Sequence, residues 1–143
     1  MYNTILVPLD GSERAEAILP HVEALAQRCS AKVIFIQVVE PPPYEGPHEH
    51  LPGGVLDRHI KQAESYLTDL QKKFREKGIE AQTRVEVYGP VVAGIMDAAQ
   101  AEGADLIALS SHGRTGLPEV FYGSVAAGVL HRADRPLLLV RSQ

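Results

Sequence analysis

The sequence predicts an α/β fold, a parallel sheet with helices packed on both of its faces. Two observations carry that expectation. Short apolar runs of strand length alternate with longer stretches whose apolar residues recur every three or four positions, in the order βαβαβαβαβ. The composition, 45% hydrophobic and 22% charged over 143 residues, is that of one globular domain long enough to bury a substantial core. Alternation of this kind gives parallel strands joined by helical crossovers, and their right-handedness leaves few topologies.

Taken in order, Asn3–Leu9 is the first predicted strand, centred on Ile5, Leu6 and Val7. Pro8 has no N–H for a ladder, so pairing should end near it. Asp10-Gly11-Ser12 forms a turn, with Ser12 suited to cap the helix that follows and Glu13 and Glu16 suited to its first turn. Ile18, Val22, Leu25, Ala26 and Cys29 share one face of that helix. Val33–Val39 is a β-branched second strand. Glu40–Gly54, with five prolines and three glycines, is predicted as a mobile connection inside one domain spanning residues 1–143.

Leu56, Ile60, Ala63, Leu67, Leu70 and Phe74 then mark the clearest amphipathic helix, closed by Gly78. Ala81–Val87 is the third strand. Gly89-Pro90 leads into a helix carrying Val92, Ile95, Met96 and Ala99, which Gly103 closes. Leu106–Leu109 is apolar and short, as a strand buried on both faces should be. Ser110, Ser111, His112 and Gly113 are read as the start of a loop that also carries Gly116. Gly123-Ser124 opens a short helix over Ser124–His131, and Leu137–Val140 is the last strand.

Strand, glycine-bearing loop and helix N-terminus together can hold an anion. Glycine lets backbone N–H groups approach closely, and the first helical turn offers unpaired donors at the positive end of the dipole. Glycine spacing alone fits an ordinary β–α connection equally well. In open α/β sheets the ligand crevice lies beyond the carboxyl ends of the strands, where the winding reverses. If strands one and four are neighbours there, Asp10 faces the Gly113 loop across it.

Other chemistries find less support. A net charge of −4 without a long basic run argues against broad nucleic-acid or anionic-membrane binding. No Gly-Lys-Ser/Thr occurs, which excludes a P-loop. Asp10 lacks the acidic neighbours of a phospho-receiver. Cys29, the one cysteine, reads as a small core residue and cannot form an internal disulfide. His48 and His50 read as solvated loop histidines rather than metal ligands, and His59 adds no defined ligand spacing. No basic leader or apolar run of spanning length is visible, so a soluble, cytoplasmic protein is expected.

The opening ILVPLDGSERAEAIL and the segment SSHGRTGLPEVFYGSVAAGVLHRADRPLLLVR resemble the universal stress protein family along essentially the whole chain. The resemblance implies an open, Rossmann-like sheet of five parallel strands in the order 3-2-1-4-5. Nucleotide-binding members carry Gly, two residues, Gly, nine residues, then Gly and Ser or Thr. Gly113, Arg114–Tyr122 and Gly123-Ser124 match that signature, whereas Ser110 stands where its first glycine is expected. A serine hydroxyl there could donate to a phosphate, provided the backbone does not require a positive φ.

By the same resemblance, Pro8 and Asp10 would line the nucleoside side, Val38 would offer its backbone to adenine, and Leu109 would flank base or ribose. Gly113, Gly123, Ser124 and Val125 would hold the phosphates of ATP or ADP, with bridging magnesium or manganese. His112 and Arg114, beside these residues, are candidates for charge stabilisation at the phosphates, against the alternative that they do not touch them. The function implied is a stress-response sensor or regulator that binds ATP between strands one and four. A slow ATP-hydrolysing enzyme and a nucleotide-free interaction protein are the alternatives. The strand order also makes Leu137–Val140 an apolar sheet edge, for which a homodimer through that edge is the expected cover.

Overall fold

The computed structural model describes residues 1–41, 54–112 and 123–142. Among them, strands β1 (Thr4–Pro8), β2 (Lys32–Val39), β3 (Ala81–Val87), β4 (Leu106–His112) and β5 (Leu137–Ser142) form one sheet. Helices α1 (Leu19–Cys29), α2 (Val55–Glu76), α3 (Val91–Glu102) and α4 (Ser124–Arg132) connect them. The strand order is β3-β2-β1-β4-β5 and every pairing is parallel, as expected. β1 therefore lies at the centre, between β2 and β4.

Side-chain alternation along the strands builds two cores. Ile5 and Val7 of β1, with Val33 and Phe35 of β2, face α1 and α2, where Val22, Leu67, Leu70 and Phe74 meet them. Phe35 and Phe74 pack edge to face with ring centroids 4.9 Å apart. Leu6, Ile34, Ile36 and Ile107 point the other way, onto Ile95, Ala98 and Ala99 of α3 and Ala126 and Val129 of α4. Ile5, Leu6 and Val7 are all fully buried, and each such side chain contributes about 1.5–3 kcal/mol.

The pairing of β1 with β4 is fixed at the amino ends of the two strands. The Asp105 carboxylate accepts from the backbone N–H of Asn3 at 2.9 Å and of Thr4 at 3.0 Å. Asp105 N–H returns a bond to the Thr4 carbonyl at 3.0 Å. Ile5 is thereby set opposite Leu106, and Leu6 opposite Ile107. A slip of one residue would turn every apolar side chain of β1 to the wrong face.

Three elements differ from the sequence reading. The first helix begins as a separate 3₁₀ turn, Ala15–Ile18, before α1. Pro20 has no N–H to give the Glu16 carbonyl, so the α-helical ladder cannot run back through it and the preceding turn tightens. Ser12 does cap, but it caps this turn, its hydroxyl accepting from Ala15 N–H at 3.2 Å. β4 is also longer than expected. Ser110, Ser111 and His112 continue the strand, in register with Val140, Arg141 and Ser142 of an equally extended β5.

The two sheet edges are unlike each other. On β3, Arg84 pairs with Glu86 and with Glu102 of α3, giving a charged edge. On β5 the edge is apolar, with Leu138 and Val140 packed against one core and Leu137 and Leu139 against the other. Ile107 N–H donates to the Pro136 carbonyl at 3.0 Å. Bonded residues alternate along a strand, so Leu138 and Val140 serve β4 while Leu137 and Leu139 present their backbone groups outward. Among the described residues no helix is long and apolar enough to cross a membrane.

Candidate functional site

At the carboxyl ends of β1 and β4 a cavity of about 140 Å³ opens onto the face covered by α3 and α4. Pro8, Asp10, Val38, Leu109, Ser110 and Val125, all expected from the sequence, line it. The sequence reading missed Leu9, Ala15, Ile36, Val91, Ile95 and Ala126, which complete its walls. The lining is mostly aliphatic with few polar groups, the usual character of a small-molecule site.

The position of α3 depends on Gly94. A Cβ there would lie 3.1 Å from both Val38 Cγ atoms and 3.2 Å from Tyr88 Cβ. Glycine lets the helix press onto β2 and brings Val91 and Ile95 to the cavity. On the opposite wall α4 starts at Gly123, whose φ of +30° favours glycine. Ser124 is thus the first helical residue, and the cap position falls to Gly123, without a side-chain capping bond. Val125 and Ala126 bring the first turn of α4, with its unpaired N–H groups, into the lining. Gly113 lies outside the described residues, as do Arg114 and the histidines at 48 and 50.

Asp10 is held by its own turn. Oδ1 accepts from Ser12 N–H at 2.9 Å and from the Ser12 hydroxyl at 2.6 Å, an Asx turn. Its second oxygen has no partner among the described residues. Ser110 is held as firmly, its hydroxyl donating to the Ala15 carbonyl at 2.9 Å. That donor is therefore committed within the chain rather than available to a phosphate. Nor is Ser110 strained, because among the described residues Ser30 is the only non-glycine with positive φ.

Behind the 3₁₀ turn, the Tyr66 hydroxyl donates to Glu16 Oε2 at 2.6 Å. Burial raises the pKa of this phenol above its ordinary value, and the hydrogen bond to Glu16 and the charges of Glu16 and Asp10 raise it further. Among the described residues no group of three or more His, Cys, Asp or Glu side chains is placed to hold a metal ion. Among the described residues, Asp10 is the one carboxylate in the cavity lining. This donor set does not fit a resident divalent cation; a hydrated magnesium ion needs chiefly water and phosphate oxygens.

A central strand flanked by crossovers to either side, with a crevice at their divergence, defines an open, doubly wound α/β domain. Residues 1–141 match the model of the Universal stress protein family, and the chain belongs to that family. Universal stress protein MJ0577 of Methanocaldococcus jannaschii is 27% identical over 156 residues, covering 99% of this chain and 96% of that protein. The solved structure of MJ0577 superimposes with a TM-score of 0.85 at 30% identity, covering 100% of this chain and 98% of that one. A universal stress protein from Archaeoglobus fulgidus, solved with dAMP, has a TM-score of 0.71 at 23% identity, covering 97% and 98% of the two chains. A universal stress protein solved with cAMP has a TM-score of 0.73 at 21% identity, covering 99% and 98%.

Proposed function

We propose that this universal stress protein binds an adenine nucleotide, ATP or ADP, in the crevice between β1 and β4 and acts as a sensor or regulator in the stress response. The observation that carries the reading is the pairing, in one cavity, of an aliphatic slot with the first turn of α4. The slot suits a purine and the helix N-terminus suits phosphate. The dAMP and cAMP complexes of relatives with this fold support an adenine nucleotide as the ligand class. Pro8, Asp10, Val38 and Leu109 take the nucleoside side, and Gly113, Gly123, Ser124 and Val125 the phosphates. Ser110 borders the crevice as a strut between β4 and the 3₁₀ turn.

Any magnesium or manganese arrives with the phosphates. Turnover is slow on this reading, because among the described residues Asp10 is the one carboxylate lining the cavity, and its Oδ1 is occupied by Ser12. The apolar edge of β5 supports a homodimer, in which a second copy of the strand runs antiparallel beside Leu137 and Leu139. Isothermal calorimetry with ATP, ADP and AMP, with and without magnesium, tests the central assignment. Gly113→Val should abolish binding without unfolding the protein, by placing a side chain in the phosphate path. Unchanged ATP affinity in that variant would sink the assignment.

A further inference from the structure

The crevice exists because the pairing of β1 with β4 stops short. Lys32 N–H bonds the Asn3 carbonyl and Leu9 N–H the Ile36 carbonyl, whereas Asp105 N–H bonds the Thr4 carbonyl. Odd-numbered residues along β1 therefore serve β2 and even-numbered ones serve β4. The rung toward β4 after Leu6 would need an N–H from Pro8, which has none. Pairing with β4 accordingly ends at Leu6 and Ile107, while pairing with β2 runs on to Pro8 and Ile36.

Further along, a side chain spans the gap. The Ser110 hydroxyl donates to the Ala15 carbonyl at 2.9 Å, and both residues line the crevice. Ala108 belongs to the core beneath α1 and α2 and Leu109 to the opposite core, so Ser110 points to the α1 side. The bond continues as an arc. Ala15 N–H donates to Ser12 Oγ at 3.2 Å, and the Ser12 hydroxyl donates to Asp10 Oδ1 at 2.6 Å. β4 is thereby joined through the 3₁₀ turn to the Asp10 carboxylate across the crevice.

We infer that Ser110 is a positioning residue, which acts through Ala15 and Ser12 to set the turn and Asp10 in place before a ligand enters. For the ligand itself the inference rests on the adenine-nucleotide reading. A wall already in place loses less freedom when the ligand arrives, and affinity rises by that difference. The hydroxyl is spent on the chain and not on phosphate, so its benefit is the same however many phosphates the nucleotide carries.

Calorimetry of AMP, ADP and ATP with wild type, Ser110→Ala and Ser110→Thr tests this, well below the melting temperatures, where lost stability alone leaves affinity unchanged. Ser110→Ala should weaken all three nucleotides alike, by about fivefold, the factor one neutral hydrogen bond is worth. Ser110→Thr keeps the hydroxyl and should bind close to wild type. In the ligand-free protein, amide hydrogen exchange at Ser12 and Ala15 should quicken by about fivefold in Ser110→Ala and return in Ser110→Thr. A loss that grows with phosphate number would show Ser110 touching the phosphates and overturn the inference. Unchanged affinity in Ser110→Ala, or unchanged exchange at Ser12 and Ala15, overturns it as well. A wild-type protein that binds none of the three brings down the nucleotide reading, while faster exchange in Ser110→Ala would leave the positioned turn standing.

Discussion

Replacing Gly128 by alanine sets two known quantities against each other. Gly128 lies on α4 where it crosses α3, and a Cβ there would sit 2.6 Å from Val92 Cγ2 and 3.4 Å from Cγ1. Valine is stiff about χ1 and cannot swing its methyl aside cheaply. Exchanging glycine for alanine inside a helix gains about 1 kcal/mol, whereas overpacking costs about 1–3 kcal/mol. The clash should win, leaving Gly128→Ala destabilised by about 1 kcal/mol, or about 3 °C in Tm for a chain of this size. With Val92 cut back to alanine the obstacle is gone, and Gly128→Ala should then stabilise by about 1 kcal/mol. Urea unfolding of the four proteins gives the coupling directly, expected near 2 kcal/mol. A Gly128→Ala protein as stable as wild type, or the same effect in both backgrounds, would refute the reasoning.

Tyr66→Phe should cost about 1.5 kcal/mol at neutral pH, the low end for a hydrogen bond to a charged partner, because the ring is only half-buried. The phenol's folded pKa is raised above 10.0, so its contribution is complete below pH 10 and is lost as pH rises through the folded value. The gap in urea midpoint between wild type and variant should narrow in strong alkali, and a constant gap would contradict the linkage. Ser110→Ala leaves the Ala15 carbonyl without its donor and should cost about 1 kcal/mol in urea unfolding; an unchanged midpoint would show the strut to be idle. Leu139→Pro removes an outward N–H while Leu138 and Val140 keep the ladder to β4, so light scattering should find a dimer become monomers. A wild-type protein already monomeric at micromolar concentration would defeat the edge-pairing proposal.

What could be read from the sequence was whatever depends on local period. The stripe through Leu67, Leu70 and Phe74 announced α2 because burial there follows the helical repeat. The family resemblance pointed to Pro8, Asp10, Val38, Leu109, Ser110 and Val125, which line the cavity, whereas Gly123 and Ser124 of its glycine signature are not in the lining. The misses share a physical cause, since each depends on a partner distant in sequence. Ser110–His112 look like loop residues alone and become strand because β5 offers them a ladder. Ile36, Val91 and Ile95 look like any core residues, and only the place where the strands end turns them into cavity lining.

The clamp of Asp105 on Asn3 and Thr4 joins residues 102 and 101 positions apart. During synthesis β1, β2 and β3 can associate as soon as the first 87 residues have emerged, with α1 and α2 closing one core over them. The crevice cannot exist until β4 arrives and the clamp shuts a loop of about a hundred residues, which is entropically costly and slow. Until then one flank of the central strand stays open to foreign strands. The crevice is therefore assembled only after β4 and α4 have emerged, long after the first core has begun to close.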